Sequence, residues 1–162
     1  MSRLDSAIRR LEAQRACLDC ATTLIADRPG VILELGLGNG RTYDHLRNRL
    51  PGREIYVFDR QIAAHPDCIP DDSHMFLGDL SETLPRAAAR LGGAAILVHS
   101  DIGSGDADAN RQIAALISSL LPPLLLPGAI ILSDQALHID AVPMPLPDGV
   151  AAGRYQVLRV KG

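Results

Sequence analysis

The stretch Val31-Ile32-Leu33-Glu34-Leu35-Gly36-Leu37-Gly38-Asn39-Gly40 decides how this chain folds. Val31 to Leu35 is a short apolar run that starts on β-branched residues, and it reads as a strand buried on both faces. Three alternate glycines then lead into a helix from about Arg41 to Leu50, closed by Pro51-Gly52. Glycines in such a turn let the backbone bend tightly and approach a ligand, while the helix start offers free N–H groups. The spacing discriminates between ligands. A dinucleotide fingerprint, G-x-G-x-x-G, needs its third glycine at Arg41 counted from Gly36, or at Tyr43 counted from Gly38. Neither place fits, whereas acidic-x-Gly-x-Gly-x-Gly fits throughout. Glu34 sits inside the apolar run, where an unpaired carboxylate is costly to bury.

Working outward, Ile55 to Phe58 is a second strand ending at Asp59, and Met75 to Leu77 a short third. Ser81 to Leu91 reads as a helix stopped by Gly92-Gly93, Ala95 to His99 as a fourth strand, Asn110 to Leu121 as a helix and Ala129 to Leu132 as a fifth strand. Tyr155 to Val160 alternates apolar and polar and reads as an antiparallel edge strand paired with Ile139 to Val142. Upstream, Leu4, Ile8, Leu11, Leu18 and Ile25 form the apolar stripe of an amphipathic helix ended by Asp27-Arg28-Pro29-Gly30. Apolar strands alternating with helices predict a Rossmann-like α/β fold. The expectation is a three-layer α/β/α sandwich around a mostly parallel seven-stranded sheet, with an antiparallel strand near the C-terminus. Residues 1–162 read as one domain, and the N-terminal helix, 1–27, as its cap.

Carboxylates stand where the strands end. Asp59 follows the second strand by position, 19 residues after Gly40, where it can accept both hydroxyls of an adenosyl ribose. Asp79, in Leu77-Gly78-Asp79-Leu80, is placed either to reach an adenine amino group or to cap the next helix. With these motifs in order, the stretch from Val31 to Asp134 resembles the class I S-adenosylmethionine-dependent methyltransferases, and among them it is most similar to a small stand-alone bacterial type. The resemblance implies that Glu34, Gly36, Leu37, Gly38, Gly40, Arg41 and Thr42 hold the methionine end of S-adenosyl-L-methionine. It also implies ribose and adenine contacts from Asp59, Arg60, Gly78, Asp79 and Leu80, and further contacts from Ser100 and Asp101. Pro127-Gly128-Ala129 matches the glycine turn before the fifth strand of that family.

Methyl transfer from a sulfonium is an in-line displacement in which the protein chiefly positions donor and acceptor. A hydroxyl acceptor gains from a base, for which Asp101 and His99 are the candidates. A small-molecule acceptor methylated on oxygen is the favoured expectation; a nicotinamide-dependent reductase and a non-catalytic cofactor-binding protein are the alternatives. Asp101, Asp134 and Gln135 resemble the oxygen-ligand set of cation-dependent catechol-type O-methyltransferases, except that Gln135 stands where those carry asparagine. They are therefore only weak candidates for a divalent cation.

Composition narrows the field further. Fifteen of the 16 basic residues are arginine, and the one lysine, Lys161, is far from any glycine loop, which excludes a P-loop and disfavours a lysine Schiff base. A net charge of -3 without aromatic-studded basic patches makes nucleic acid an unsuitable partner. The 20 uncharged residues from Ile113 to Leu132 are broken by Pro122-Pro123 and Pro127-Gly128, which argues against a membrane span. Three cysteines make no disulfide framework, and Cys17-Leu18-Asp19-Cys20 lacks a second pair for zinc, so a reducing cytoplasm is expected. So little chain remains outside the cofactor sheet that a homo-oligomer is also expected. Its contact is assigned to the arginine-rich first helix and the loop from Val142 to Val150.

Overall fold

The computed structural model describes residues 1–162. Seven strands, β1 (Val31–Leu35), β2 (Ile55–Asp59), β3 (Met75–Leu77), β4 (Ala95–Ser100), β5 (Leu125–Ser133), β6 (Ala141–Pro143) and β7 (Gln156–Val160), form one sheet in the order β3-β2-β1-β4-β5-β7-β6. The first five are parallel, and β7 runs antiparallel to both β5 and β6. Four helices cover the sheet: α1 (Arg3–Leu24), α2 (Arg41–Arg49), α3 (Leu80–Leu91) and α4 (Ala107–Leu120).

Strand side chains alternate between two apolar clusters. Leu33, Leu35, Tyr56 and Phe58 pack with Leu84 of α3 and Ile117 of α4, while Ile32, Ile55 and Val57 pack with Leu18 of α1 and Leu46 of α2. The clusters hold 16 and 15 buried residues, so both faces are covered about equally and the fold is the expected three-layer sandwich.

Three details depart from the sequence reading. The strand near the C-terminus is not at the edge. Val157 and Leu158 are both buried, one in each cluster, and a strand buried on both faces belongs inside a sheet. The edge position falls to β6, whose Pro143 is tolerated there because proline cannot donate to a ladder.

The fifth strand begins at Leu125 rather than Ala129, and Pro127-Gly128 is a bulge within it. Ala95 pairs with Leu125 but Leu97 already pairs with Ile130. The Arg28 guanidinium holds this bulge, donating to the carbonyls of Gly128 at 2.6 Å and Pro127 at 2.8 Å. Arg28→Ala should lower the unfolding free energy by about 1–2 kcal/mol, measurable by urea denaturation.

The third departure concerns α1. Leu18 and Ile25 are buried, but Leu4, Ile8 and Leu11 of the same stripe are exposed. Twenty-two helical residues span about 33 Å, whereas a five-residue strand spans about 17 Å. The helix ends beside the start of β1, so its N-terminal turns overhang the carboxyl ends of the parallel strands. A capping box between Ser2 and Asp5 secures the free end.

Candidate functional site

The glycine loop closes over the carboxyl end of β1. The Gly36 N–H donates to the Phe58 carbonyl at 2.7 Å, which ties the loop to β2. Gly36, Gly38 and Gly40 all have positive φ, at 94°, 52° and 85°. Their surroundings differ. A Cβ on Gly40 would lie 2.5 Å from the Cys68 Cβ and 2.8 Å from its carbonyl oxygen, so Gly40 serves close packing at the start of α2. A Cβ on Gly38 would meet nothing within 4 Å. Gly38→Ala is thus expected to cost only the ~1–2 kcal/mol of left-handed backbone strain. Gly40→Ala adds a clash and should cost more, a difference that thermal denaturation of the two variants would reveal.

Behind the loop lies a buried polar group. Glu34 and His99 are register partners on β1 and β4, 1% and 0% exposed, and the His99 Nδ1 lies 2.7 Å from the Glu34 Oε1. The Thr42 hydroxyl donates to the same oxygen at 3.1 Å. Glu34 Oε2, His99 Nε2 and the Ser100 hydroxyl are buried without a partner. Burial, the largest influence on His99, disfavours its charged form. The charge and hydrogen bond of Glu34, with Asp101 and Asp134 beyond, outweigh it, and the ring's affinity for a proton is raised.

Asp59 braces the loop from the end of β2. Its Oδ2 accepts from the N–H groups of Leu37 at 2.9 Å and Gly38 at 3.1 Å, and its Oδ1 accepts from Arg60 at 2.7 Å. Asp79 stands at the N-cap position of α3, but its side chain makes no capping bond and pairs instead with the Arg60 Nε at 2.7 Å.

The opposite wall starts after β4. Asp101 Oδ2 accepts from the Tyr155 hydroxyl at 2.7 Å and from the Gln14 side-chain amide. Burial, followed by the contact with Asp101, pushes the Tyr155 phenol up, so it remains a donor. Asp134 follows β5, accepting at Oδ2 from the Gly103 N–H at 2.8 Å and from Gln135 at 3.3 Å, while its Oδ1 is buried and unpartnered. Burial and then the charge of Asp101 push the Asp134 carboxyl above its ordinary range.

Two adjoining cavities line this rim. One, of about 380 Å³, is bounded by Glu34, Gly36, Leu37, Gly38, Arg41, Thr42, Asp59 and Asp101. The other, of about 320 Å³, is bounded by Gly36, Asp59, Arg60, Gly78 and Leu80, with Ile102 and Ile113 as apolar walls. Most of the residues singled out in the sequence are thereby brought together. Gly40, Asp79, His99 and Ser100 border neither cavity. A third cavity, of about 480 Å³, has Asp101, Asp134, Gln135 and Tyr155 in its wall. Sequence reasoning missed Gln14 and Tyr155, which lie 87 and 54 residues from the carboxylate they hold. No local pattern could pair them. No cluster of three or more histidine, cysteine, aspartate or glutamate side chains is arranged to hold a metal ion. Cys17, Cys20 and Cys68 are free thiols, and burial, then Cys20, pushes the Cys17 thiol up to about 11.

The buried, unpartnered Glu34 oxygen beside an open glycine backbone fits a cofactor with an ammonium group, and the apolar second cavity fits a base. A sheet of this order with a glycine loop after β1 defines the S-adenosylmethionine-dependent methyltransferase fold. A family model for S-adenosyl-L-methionine methyltransferases matches residues 1–160, and the chain belongs to that family. Among solved structures it is similar to an S-adenosyl-L-methionine methyl transferase from Silicibacter pomeroyi DSS-3, at 45% identity, TM-score 0.91 and 98% coverage of both chains. The antibiotic-resistance methyltransferase Kmr shares the fold at 14% identity and TM-score 0.54, with 91% of this chain and 93% of that one aligned. The plantazolicin methyltransferase BpumL, solved with S-adenosylhomocysteine, does so at 15% identity and TM-score 0.51, over 80% of this chain and 49% of that one. No curated protein sequence matches. The chain is a methyltransferase that uses S-adenosyl-L-methionine, and the nicotinamide and non-catalytic alternatives fall away.

Proposed function

We propose that this enzyme methylates an oxygen of a small-molecule acceptor, with residues 1–162 acting as one domain capped by α1. The observation that carries this reading is the meeting of the cofactor-side cavity and the 480 Å³ cavity at Asp101, where a carboxylate can receive a hydroxyl proton. The bound cofactor supplies a methyl carbon made electrophilic by its sulfonium.

The chain's own groups bind and orient. Glu34 Oε2 accepts from the ammonium group, and His99, which touches neither cavity, positions Glu34. The loop backbone at Gly36 and Gly38, with Leu37, Arg41 and Thr42, encloses the methionine end, and Gly40 packs the loop against Cys68. Asp59 faces the ribose hydroxyls with a carboxylate that the backbone N–H groups of Leu37, Gly38, Arg60 and Gln61 hold in place. Arg60, Gly78 and Leu80 frame the adenine, Asp79 positions Arg60 through their ion pair, and Ser100 supports the turn into Asp101. Gln14 and Tyr155 hold Asp101 against the junction, both donating to Oδ2 and leaving Oδ1 to the acceptor.

Transfer from labelled S-adenosyl-L-methionine to phenols, alcohols, amines and thiols tests the reading. Hydroxyl compounds should be methylated, and Asp101→Asn should lower kcat at least ~100-fold with little change in cofactor affinity. Because Asp101 and Asp134 are already held by protein donors, the same rate is expected with EDTA as with added Mg²⁺. A loss of activity on chelation would assign Asp101, Asp134 and Gln135 to a metal instead.

We further propose that the enzyme works as a homo-oligomer in the reducing cytoplasm, which three free thiols support. Leu4, Ile8 and Leu11, with Val142, are the exposed apolar residues that favour the contact. Sedimentation should show an assembly that Ile8→Glu dissociates. No helix is long and apolar enough to cross a membrane.

A further inference from the structure

The 480 Å³ cavity carries an asymmetry of charge; its Arg10 and Asp101 also border the cofactor-side cavity, whereas Arg154 and Asp134 do not. Its floor is acidic, with Asp101 and Asp134 at the ends of β4 and β5, and its walls are basic, with Arg10 from α1 and Arg154 from the loop before β7. The two signs are not equally satisfied. Asp101 accepts from Gln14 and Tyr155, and Asp134 accepts from Gly103 and Gln135, so both carboxylates have protein donors. Arg10 and Arg154 make no side-chain hydrogen bond and no ion pair. A cationic acceptor would face both arginines, whereas each acid already has protein donors on its Oδ2. An anionic acceptor would supply the partner both guanidiniums lack.

The chain also fixes where those arginines stand. Arg10 lies four residues before Gln14 on α1, hence on the same helix face and one turn further from the sheet. Arg154 adjoins Tyr155. Each arginine is therefore one step removed from a residue that touches Asp101, and the cavity is of ordinary small-molecule size.

We propose that the acceptor is a small hydroxylated carboxylic acid, its carboxylate held by Arg10 and Arg154 and its hydroxyl directed to Asp101 and Asp134. This rests on the oxygen-transfer reading above. In the step, the hydroxyl oxygen bonds to the methyl carbon as the carbon–sulfur bond breaks, its electron pair stays on sulfur, and the hydroxyl proton passes to the Asp101–Asp134 pair.

The test uses the full chain, labelled S-adenosyl-L-methionine and matched pairs: the three hydroxybenzoates, glycolate, lactate and malate, each beside its primary amide. At least one acid should be methylated with kcat/KM tenfold or more above its amide. Arg154→Gln and Arg10→Gln should each raise KM for that acid about tenfold with kcat nearly unchanged, while leaving its amide and the melting temperature unaffected. Asp134→Asn should instead lower kcat. Equal use of acids and amides, a preference for acids that survives the double arginine variant, or no acid either methylated or bound in the presence of S-adenosylhomocysteine would overturn the assignment. If neutral phenols are methylated, the oxygen reading stands and the acid assignment alone falls. If only amines or thiols are methylated, both fall.

Discussion

Glu34→Leu should lower the unfolding free energy by about 3–5 kcal/mol, the range for removing one partner of a buried ion pair. The leucine fits the apolar strand, but it strands His99, which is fully buried and whose Nδ1 has only Glu34 as partner. Glu34→Gln should cost less, because the amide oxygen still accepts from the imidazole and from Thr42. Urea denaturation of both variants checks the order, and equal stability of Glu34→Leu and the parent protein would mean the pair contributes nothing. The pH dependence follows from the direction of the His99 shift. The folded protein binds this proton more tightly than the unfolded chain does, whose histidine titrates near ~6.5. The stability it contributes is therefore fully present below about that pH and is lost as the pH rises through the higher folded value. His99→Gln should flatten that part of the stability–pH curve.

Asp59→Ala should weaken S-adenosyl-L-methionine binding by ~1.5–3 kcal/mol, or roughly 10- to 150-fold, the range for hydrogen bonds to a charged group. Two losses combine in that figure. The ribose hydroxyls lose an acceptor, and the N–H groups of Leu37 and Gly38 lose the oxygen that holds the loop in shape. Asp59→Asn separates them, because its single carbonyl oxygen can keep the loop bonds while the charge is gone. Titration calorimetry on the folded variants distinguishes the cases. Unchanged affinity for Asp59→Ala would remove this carboxylate from the site.

Much of this architecture is legible in the order of residues, because its signals are local. The apolar run of β1, the alternate glycines and the carboxylates at the ends of β2 and β4 each depend on neighbours in sequence. Where the structure departs from the local pattern, the deciding contact is distant. Pro127-Gly128 looked like a turn because its stabilising guanidinium, Arg28, is about a hundred residues away. The Tyr155 to Val160 stretch reads as an edge from its alternation, yet β6 pairs along its free side and the two core clusters cover its faces. Leu4, Ile8 and Leu11 matched a core stripe, and only the mismatch in length between helix and sheet leaves them outside. Within the site the same division holds. The cofactor loop is continuous in sequence and was readable, whereas the wall around Asp101 draws on three separated segments.

That wall has a consequence for how the enzyme comes into being. The strands that carry the glycine loop and Asp59 are complete by Asp79, but the donors that fix Asp101 come from the first helix and from Tyr155, 54 residues after it. During synthesis the wall around Asp101 is thus the last part of the site to be set, after β4 has brought His99 against Glu34. The wall closes only when the last strand slots between β5 and β6 and carries Tyr155 to Asp101.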